Sequence, residues 1–242
     1  MAKKICILRW EGGQVPQALL DLENLPGNST NPASYPFELY MIQVKGANMD
    51  TVLLNPSQKL LEDMIELCKE LIEKEGIEGF TTSCGFNAIF QKQMADALPV
   101  PVFTSSLLQV PFAHSIIGKG KKVAIVTANK SKLTKEHLAC CNITDDMNYE
   151  VFGLEGCKEW SKMFSDPDAA VDMAVVTEEV LGTICEAVKG GDFGAIVFEC
   201  TDLPPFAPEA KIRTGLPVFS INSLIGHMAI VLGEMPLFEK VV

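Results

Sequence analysis

Three patterns are missing from this 242-residue sequence, and each absence narrows what the chain can be. Its eight cysteines include no C-x-x-C pair, and its three histidines do not join them at zinc-ligand spacing, which argues against a structural metal. Long hydrophobic runs are absent too. The apolar stretch that opens the chain stops at Arg9, far short of a membrane span or the core of a signal peptide. Basic clusters are the third absence: the formal charge is −11, and the lysines and two arginines are scattered, leaving no footprint for tracking phosphates. These absences predict a cytoplasmic protein with reduced thiols, no metal or organic cofactor, and no nucleic-acid or membrane partner.

What is present is an ordinary globular balance, 48% apolar and 21% charged. Apolar runs at Ile5–Trp10, Leu39–Val44, Ile77–Thr82 and Val100–Thr104 read as buried parallel strands. A second set follows at Val123–Ala128, Tyr149–Leu154, Ala195–Glu199 and Leu216–Ile221. Helical spacing fills the gaps. Ser57 opens a helix over Gln58–Glu75 that Gly76 closes, and Asp166-Pro167 opens a long one that runs to Lys189 before Gly190-Gly191. The pattern is a set of βα units, made twice.

The halves overlay. Cys84 stands 17 residues before Pro101-Val102-Phe103, and Cys200 stands 17 before Pro217-Val218-Phe219. Lys3-Lys4-Ile5 aligns with Lys121-Lys122-Val123 at an offset of 118, against 116 for the cysteine segments. Such self-similarity indicates a duplication. An open α/β lobe places its ligand at the carboxyl ends of its strands, so two facing lobes bring equivalent residues to one cleft. A free cysteine at a strand end is ordinarily a small buried hydrophobe, the reading that applies to Cys6, Cys68 and Cys185. Symmetric placement sets Cys84 and Cys200 apart.

Thr81-Thr82-Ser83-Cys84-Gly85-Phe86-Asn87 and Glu199-Cys200-Thr201-Asp202-Leu203-Pro204 resemble the two cysteine motifs of the aspartate/glutamate racemase superfamily, and the resemblance spans nearly the whole chain. It implies two pseudo-twofold-related flavodoxin-like α/β lobes, each with a four-stranded, mostly parallel sheet flanked by helices, with the active site in the cleft between them. Residues 1–112 plus 222–242 would form the first lobe and 113–221 the second, because the last helix packs back on the first lobe in that family. The resemblance further implies a homodimer and an amino-acid racemase that works without pyridoxal phosphate, aspartate or glutamate being the leading substrates. Hydantoin or allantoin racemases and maleate-type cis-trans isomerases are the enzyme alternatives. A cytoplasmic small-molecule-binding protein is the non-enzymatic one.

In the implied reaction one thiolate removes the Cα proton and the opposite thiol returns one to the other face, roles that fall on Cys84 and Cys200. A thiol with an ordinary pKa of about 8.5 is an adequate base without a metal, provided the enolate-like carboxylate is stabilised by fixed donors. Ser83, Gly85, Asn87, Thr127, Thr201 and Trp10 sit at predicted strand ends and are the candidate substrate-binding residues. Glu11 and Asp202 are candidate acid helpers for the thiols. Asp202 stands where glutamate racemases carry histidine and aspartate racemases carry glutamate. Gly12-Gly13 offers amides that a ligand can approach, and Arg9 is a candidate for a second carboxylate.

Overall fold

The computed structural model describes residues 4–11, 16–165, 168 and 170–235. Strands β1 (Ile5–Trp10), β2 (Tyr40–Val44) and β3 (Gly79–Thr82) form a parallel sheet in the order β2-β1-β3. Strands β4 (Lys122–Thr127), β5 (Tyr149–Gly153), β6 (Phe193–Phe198) and β7 (Val218–Phe219) form a second, in the order β5-β4-β6-β7. The two orders are the same path walked twice. Ile5 to Leu8 and Val123 to Val126 are at most 1% exposed, because helices cover both faces of a parallel sheet and leave its central strand no polar side.

The expected fourth strand of the first half, 100–104, is reduced to one parallel bridge between Phe80 and Val102. The Phe80 amide donates to the Pro101 carbonyl at 3.0 Å and the Phe103 amide to the Phe80 carbonyl at 2.9 Å, and past this bridge the ladder is continued by side chains. The Thr81 and Thr82 hydroxyls each donate at 2.7 Å, to the carbonyls of Phe103 and Thr104. On the outer edge the buried Gln91 side chain acts as a short surrogate strand. Its Nε2 donates to the Val102 carbonyl at 2.9 Å, while its Oε1 accepts from the Thr104 amide at 2.8 Å and the Thr104 hydroxyl at 2.9 Å.

Helix α1 spans Gln17–Glu23 and helix α2 spans Gln58–Glu75. The Ser57 side chain caps α2 by accepting from the Leu60 amide, and Gly76 ends it at a φ of 70° that few other residues adopt. Leu60, Leu61, Met64, Cys68 and Leu71 bury one stripe of α2 against the first sheet. Helices α3 (Gln91–Ala97), α4 (Gln109–Ile116) and α5 (Lys135–Cys140) follow. Of the helix expected from Asp166-Pro167 to Lys189 the structure shows α7 (Met173–Val188), and a separate helix that was not expected, α6 (Lys158–Ser165), precedes it. Asp166 and Pro167 lie outside the described residues. The working N-cap is Asp172, whose carboxylate accepts from the Ala174 and Val175 amides. Glu179 of α7 accepts the free amides of Lys158, Glu159 and Trp160, which fastens the start of α6 to α7.

Helices α8 (Ala207–Thr214) and α9 (Ile221–Val231) complete the chain. Residues 118 apart occupy related places in the two halves, and this extends to helices that leave their own lobe. Helix α1 buries Ala18 and Leu22 in the core of the second half, beside Trp160 and Phe206. Its counterpart α5 rests on the 85–90 segment of the first, with His137 edge-on to Phe86 at 5.7 Å. Helix α9 packs Ile221, Ile225 and Ala229 with Ile5, Ile7 and Phe103 of the first half. No helix among the described residues is long and apolar enough to cross a membrane.

Replacing Gln91 by methionine keeps the volume but strands the Thr104 amide and the Val102 carbonyl. Urea denaturation should then show stability lower by about 2–4 kcal/mol with an unchanged m value.

Candidate active site

Each cysteine stands on a corner where a central sheet runs out. Beyond β3 the Ser83 amide still donates to the Leu8 carbonyl at 3.0 Å, and beyond β6 the Glu199 amide donates to the Val126 carbonyl at 2.8 Å. The chain then turns at Cys84 into a 3-10 helix over Gly85–Phe90, and at Cys200 towards a shorter one at Pro204–Phe206. The two corners face each other. The Thr201 hydroxyl donates across the interface to the Ser83 carbonyl at 2.6 Å. The reciprocal position is Gly85, which lies so close to the Glu199 carbonyl and carboxyl that any side chain there would collide with them. The residues before and after each cysteine are thus locked to those of the other.

Both thiols resist ionisation. Burial pushes Cys84 up, the nearby Glu199 carboxylate adds to this, and the backbone amides of Phe86 and Asn87 oppose it. Cys200 is 9% exposed and is pushed up by burial, then by Asp202 and Glu199, with the backbone amide of Asp202 opposing them. The Cys84 charge also registers at Cys200, so the two sulfurs share one electrostatic site.

Two carboxylates, Glu199 and Asp202, act on this pair. Glu199 is fully buried and its acid is pushed up to about 7 by that burial, although the Thr127 hydroxyl donates to Oε2 at 2.7 Å. Its Oε1 has no hydrogen-bond partner. Burial pushes Asp202 up to about 6, offset in part by Asn28, whose side-chain amide donates to Oδ1 at 3.1 Å. Glu23 and Arg9, paired with each other at 2.9 Å, also act on Asp202 with opposite signs. Arg9 is therefore occupied rather than held ready for a carboxylate.

The remaining expected residues divide. Ser83 bridges the Trp10 amide and Thr201, Thr201 ties the corners, and Thr127 serves Glu199. Asn87 is buried, donates to the Cys84 carbonyl at 3.1 Å, and leaves its Oδ1 unpartnered. The buried Trp10 indole N–H is likewise without a partner, as is the Ser29 hydroxyl. Glu11 is not brought to the thiols: it is exposed and its carboxylate accepts from the Gly46 amide, because β1 and β2 run side by side and deliver it to the turn after β2. Gly12-Gly13 lies outside the described residues. Two open surface concavities, one bounded by Phe152 and Thr183 and one by Tyr35 and Phe37, include neither cysteine.

Sequence reasoning missed two components. Glu199 reads as the last residue of a strand, yet an acid directly after the apolar run Ala195–Phe198 was a usable signal. Asn28 had none. Gly27-Asn28-Ser29-Thr30 looks like any polar turn, but here Asn28 and Ser29 are at most 1% exposed, and the Asn222 side chain holds the turn by donating to the Gly27 carbonyl.

No family model matches the sequence. Over 201 residues the chain is 29% identical to a dimethylsulfoniopropionate lyase of Durusdinium sp. clade D, covering 81% of this chain and 66% of that protein. It is 27% identical over 224 residues to dimethylsulfoniopropionate lyase 3 of Emiliania huxleyi, covering 88% and 57%. The chain therefore spans between just over half and about two thirds of the length of these relatives. Among solved structures, a mutant of arylmalonate decarboxylase superposes with a TM-score of 0.59 at 19% identity, covering 98% of this chain and 97% of that one. The aspartate racemase of Picrophilus torridus gives 0.58 at 13%, covering 96% and 95%. The allantoin racemase of Klebsiella pneumoniae gives 0.58 at 13%, covering 95% and 89%. The fold is the one shared by these racemases and the decarboxylase.

A buried acid whose folded pKa lies above its ordinary 4.5 favours folding while protonated, and that advantage is lost as pH rises through about 7. Between pH 5 and pH 8 Glu199 should lower the unfolding free energy by about 2 kcal/mol. Paired urea titrations should show a flatter pH dependence for Glu199→Gln by that amount.

Proposed function

We propose that the chain removes a proton from the carbon beside a carboxylate with a cysteine thiolate, and that its substrate is a cationic β-sulfonium carboxylate of the dimethylsulfoniopropionate kind, which it splits by elimination. The observation that carries this reading is the charge of the site. Asp202 and Glu199 act on both thiols, Glu23 acts on Asp202, and the arginine beside Asp202 is already paired with Glu23. Aspartate or glutamate would bring a second carboxylate into that field at a cost. A sulfonium brings a permanent cation, which like charges repel and carboxylates hold.

The step balances without a cofactor. The thiolate takes the α proton, its C–H electron pair becomes the new carbon–carbon double bond, and the β carbon–sulfur bond breaks with its pair retained by sulfur. Neutral dimethyl sulfide and acrylate leave, and the thiol returns its proton to solvent. Because burial holds both thiols in the protonated state and Asp202 and Glu199 add to it, a cation bound beside Asp202 favours thiolate formation when substrate arrives. The unpartnered Trp10 indole N–H and Ser29 hydroxyl are donors suited to the carboxylate as it gains enolate character. The names of the sequence relatives support the same substrate.

Racemisation of an amino acid is the second reading, favoured by the placement of one thiol on each of two related corners. Both are tested together. Incubated with dimethylsulfoniopropionate, the protein should release dimethyl sulfide into the headspace, and Cys84→Ser and Cys200→Ser should each reduce the rate by about 10²–10⁴-fold. No sulfide release, with loss of the Cα–H proton signal from aspartate or glutamate in D₂O, would replace elimination by racemisation.

A further inference from the structure

The two corners are related by pseudo-symmetry, but one pair of positions breaks it. Thr201, after Cys200, reaches across to the Ser83 carbonyl. Its equivalent Gly85, after Cys84, reaches nowhere, and the room its missing side chain leaves is filled by the Glu199 carboxyl. The residue equivalent to Glu199 is Ser83, a neutral hydroxyl that accepts from the Trp10 amide. A carboxyl therefore sits at one corner only, and although it precedes Cys200 in the chain it is lodged beside the residue that follows Cys84.

We propose that Glu199 is a positioning residue that makes the two thiols unequal: seated in the Gly85 space, it keeps the proton on Cys84 and leaves Cys200 as the thiol that ionises. Among the charged neighbours of Cys84 Glu199 acts most strongly and Asp202 less, whereas for Cys200 the order is reversed. The two acids also differ in access. Asp202 is only partly buried and shares its surroundings with Asn28, Arg9 and Glu23, so an incoming cation can offset its field. Glu199 is sealed, bonded to the Thr127 hydroxyl and otherwise facing Gly85, and the other groups that register its charge are the thiols of Cys84, Cys200 and Cys141. A bound cation therefore releases Cys200 and leaves Cys84 protonated. In the elimination proposed above, on which this role assignment rests, Cys200 is the base and the Cys84 thiol is a donor toward the substrate.

The test needs no substrate, so it can fail while the elimination stands, and the elimination can fail while it stands. Alkylation by iodoacetamide is followed at each cysteine by peptide mass spectrometry as a function of pH. In Glu199→Gln the midpoint for Cys84 should fall by about one pH unit, equal to about tenfold faster alkylation below the midpoint, with a smaller change at Cys200. In Asp202→Asn the larger fall should be at Cys200. Thr127→Val, which removes the donor that favours the charged form of Glu199, should also speed Cys84 alkylation near neutral pH and serves if Glu199→Gln does not fold. Equal shifts at both cysteines, or none at Cys84 in either Glu199→Gln or Thr127→Val, would overturn the assignment, since a carboxyl that only fills space moves neither titration selectively.

Discussion

The contact between the two cysteine corners is the constraint on which the rest of the molecule depends. A 2.6 Å hydrogen bond from Thr201 to Ser83, and a glycine pressed against Glu199, hold two strand ends from separate sheets at backbone distance. Nothing with a side chain fits at position 85. Around this junction Ser106 donates to the Phe198 carbonyl at 2.5 Å and Gln109 to the Ser220 carbonyl at 2.8 Å, so polar groups at the seam are matched across it. The exchanged helices α1 and α5 add apolar burial on either side. A two-lobed molecule is thereby given one shared site rather than two.

Closeness at this junction has an electrostatic consequence. Two thiols and the acids Glu199 and Asp202 are taken from water together, and desolvation is the largest influence on each of the four. The resting site then favours protons over charges. A ligand that carries a fixed positive charge changes that balance, while one that carries a second negative charge works against it. This asymmetry, more than the superfamily fold, separates the proposed sulfonium substrate from an acidic amino acid, because the same fold accommodates racemases and a decarboxylase.

Much of the fold was legible because parallel strands buried on both faces leave unbroken apolar runs, as at Ile5 to Leu8 and Val123 to Val126. The repeat was legible because an offset of 116 survives in the cysteine and proline positions and one of 118 in the Lys3-Lys4 and Lys121-Lys122 pairs. Legibility failed where a long-range partner overrides local signals. Residues 100–104 have a strand's composition, but past a single bridge the Thr81, Thr82 and Gln91 side chains take the bonds a longer ladder would make. Asp166-Pro167 has a helix-opening composition, but Asp172 caps α7 and Glu179 fastens α6. Of the candidate residues the structure brings Cys84, Cys200 and Asp202 together and leaves Glu11 apart, since strand pairing delivers it to Gly46.

The sequence by itself determined that two related βα halves exist and that each presents a cysteine at the end of its third strand, because periodicity, spacing and duplication are properties of the chain alone. Only the tertiary structure decided that Glu199 belongs beside Gly85, that Asn28 turns inward to Asp202, and that Arg9 is already paired. Those are contacts between residues 14 to 174 positions apart. Their consequences for charge depend on burial, and burial is set only when the two halves meet.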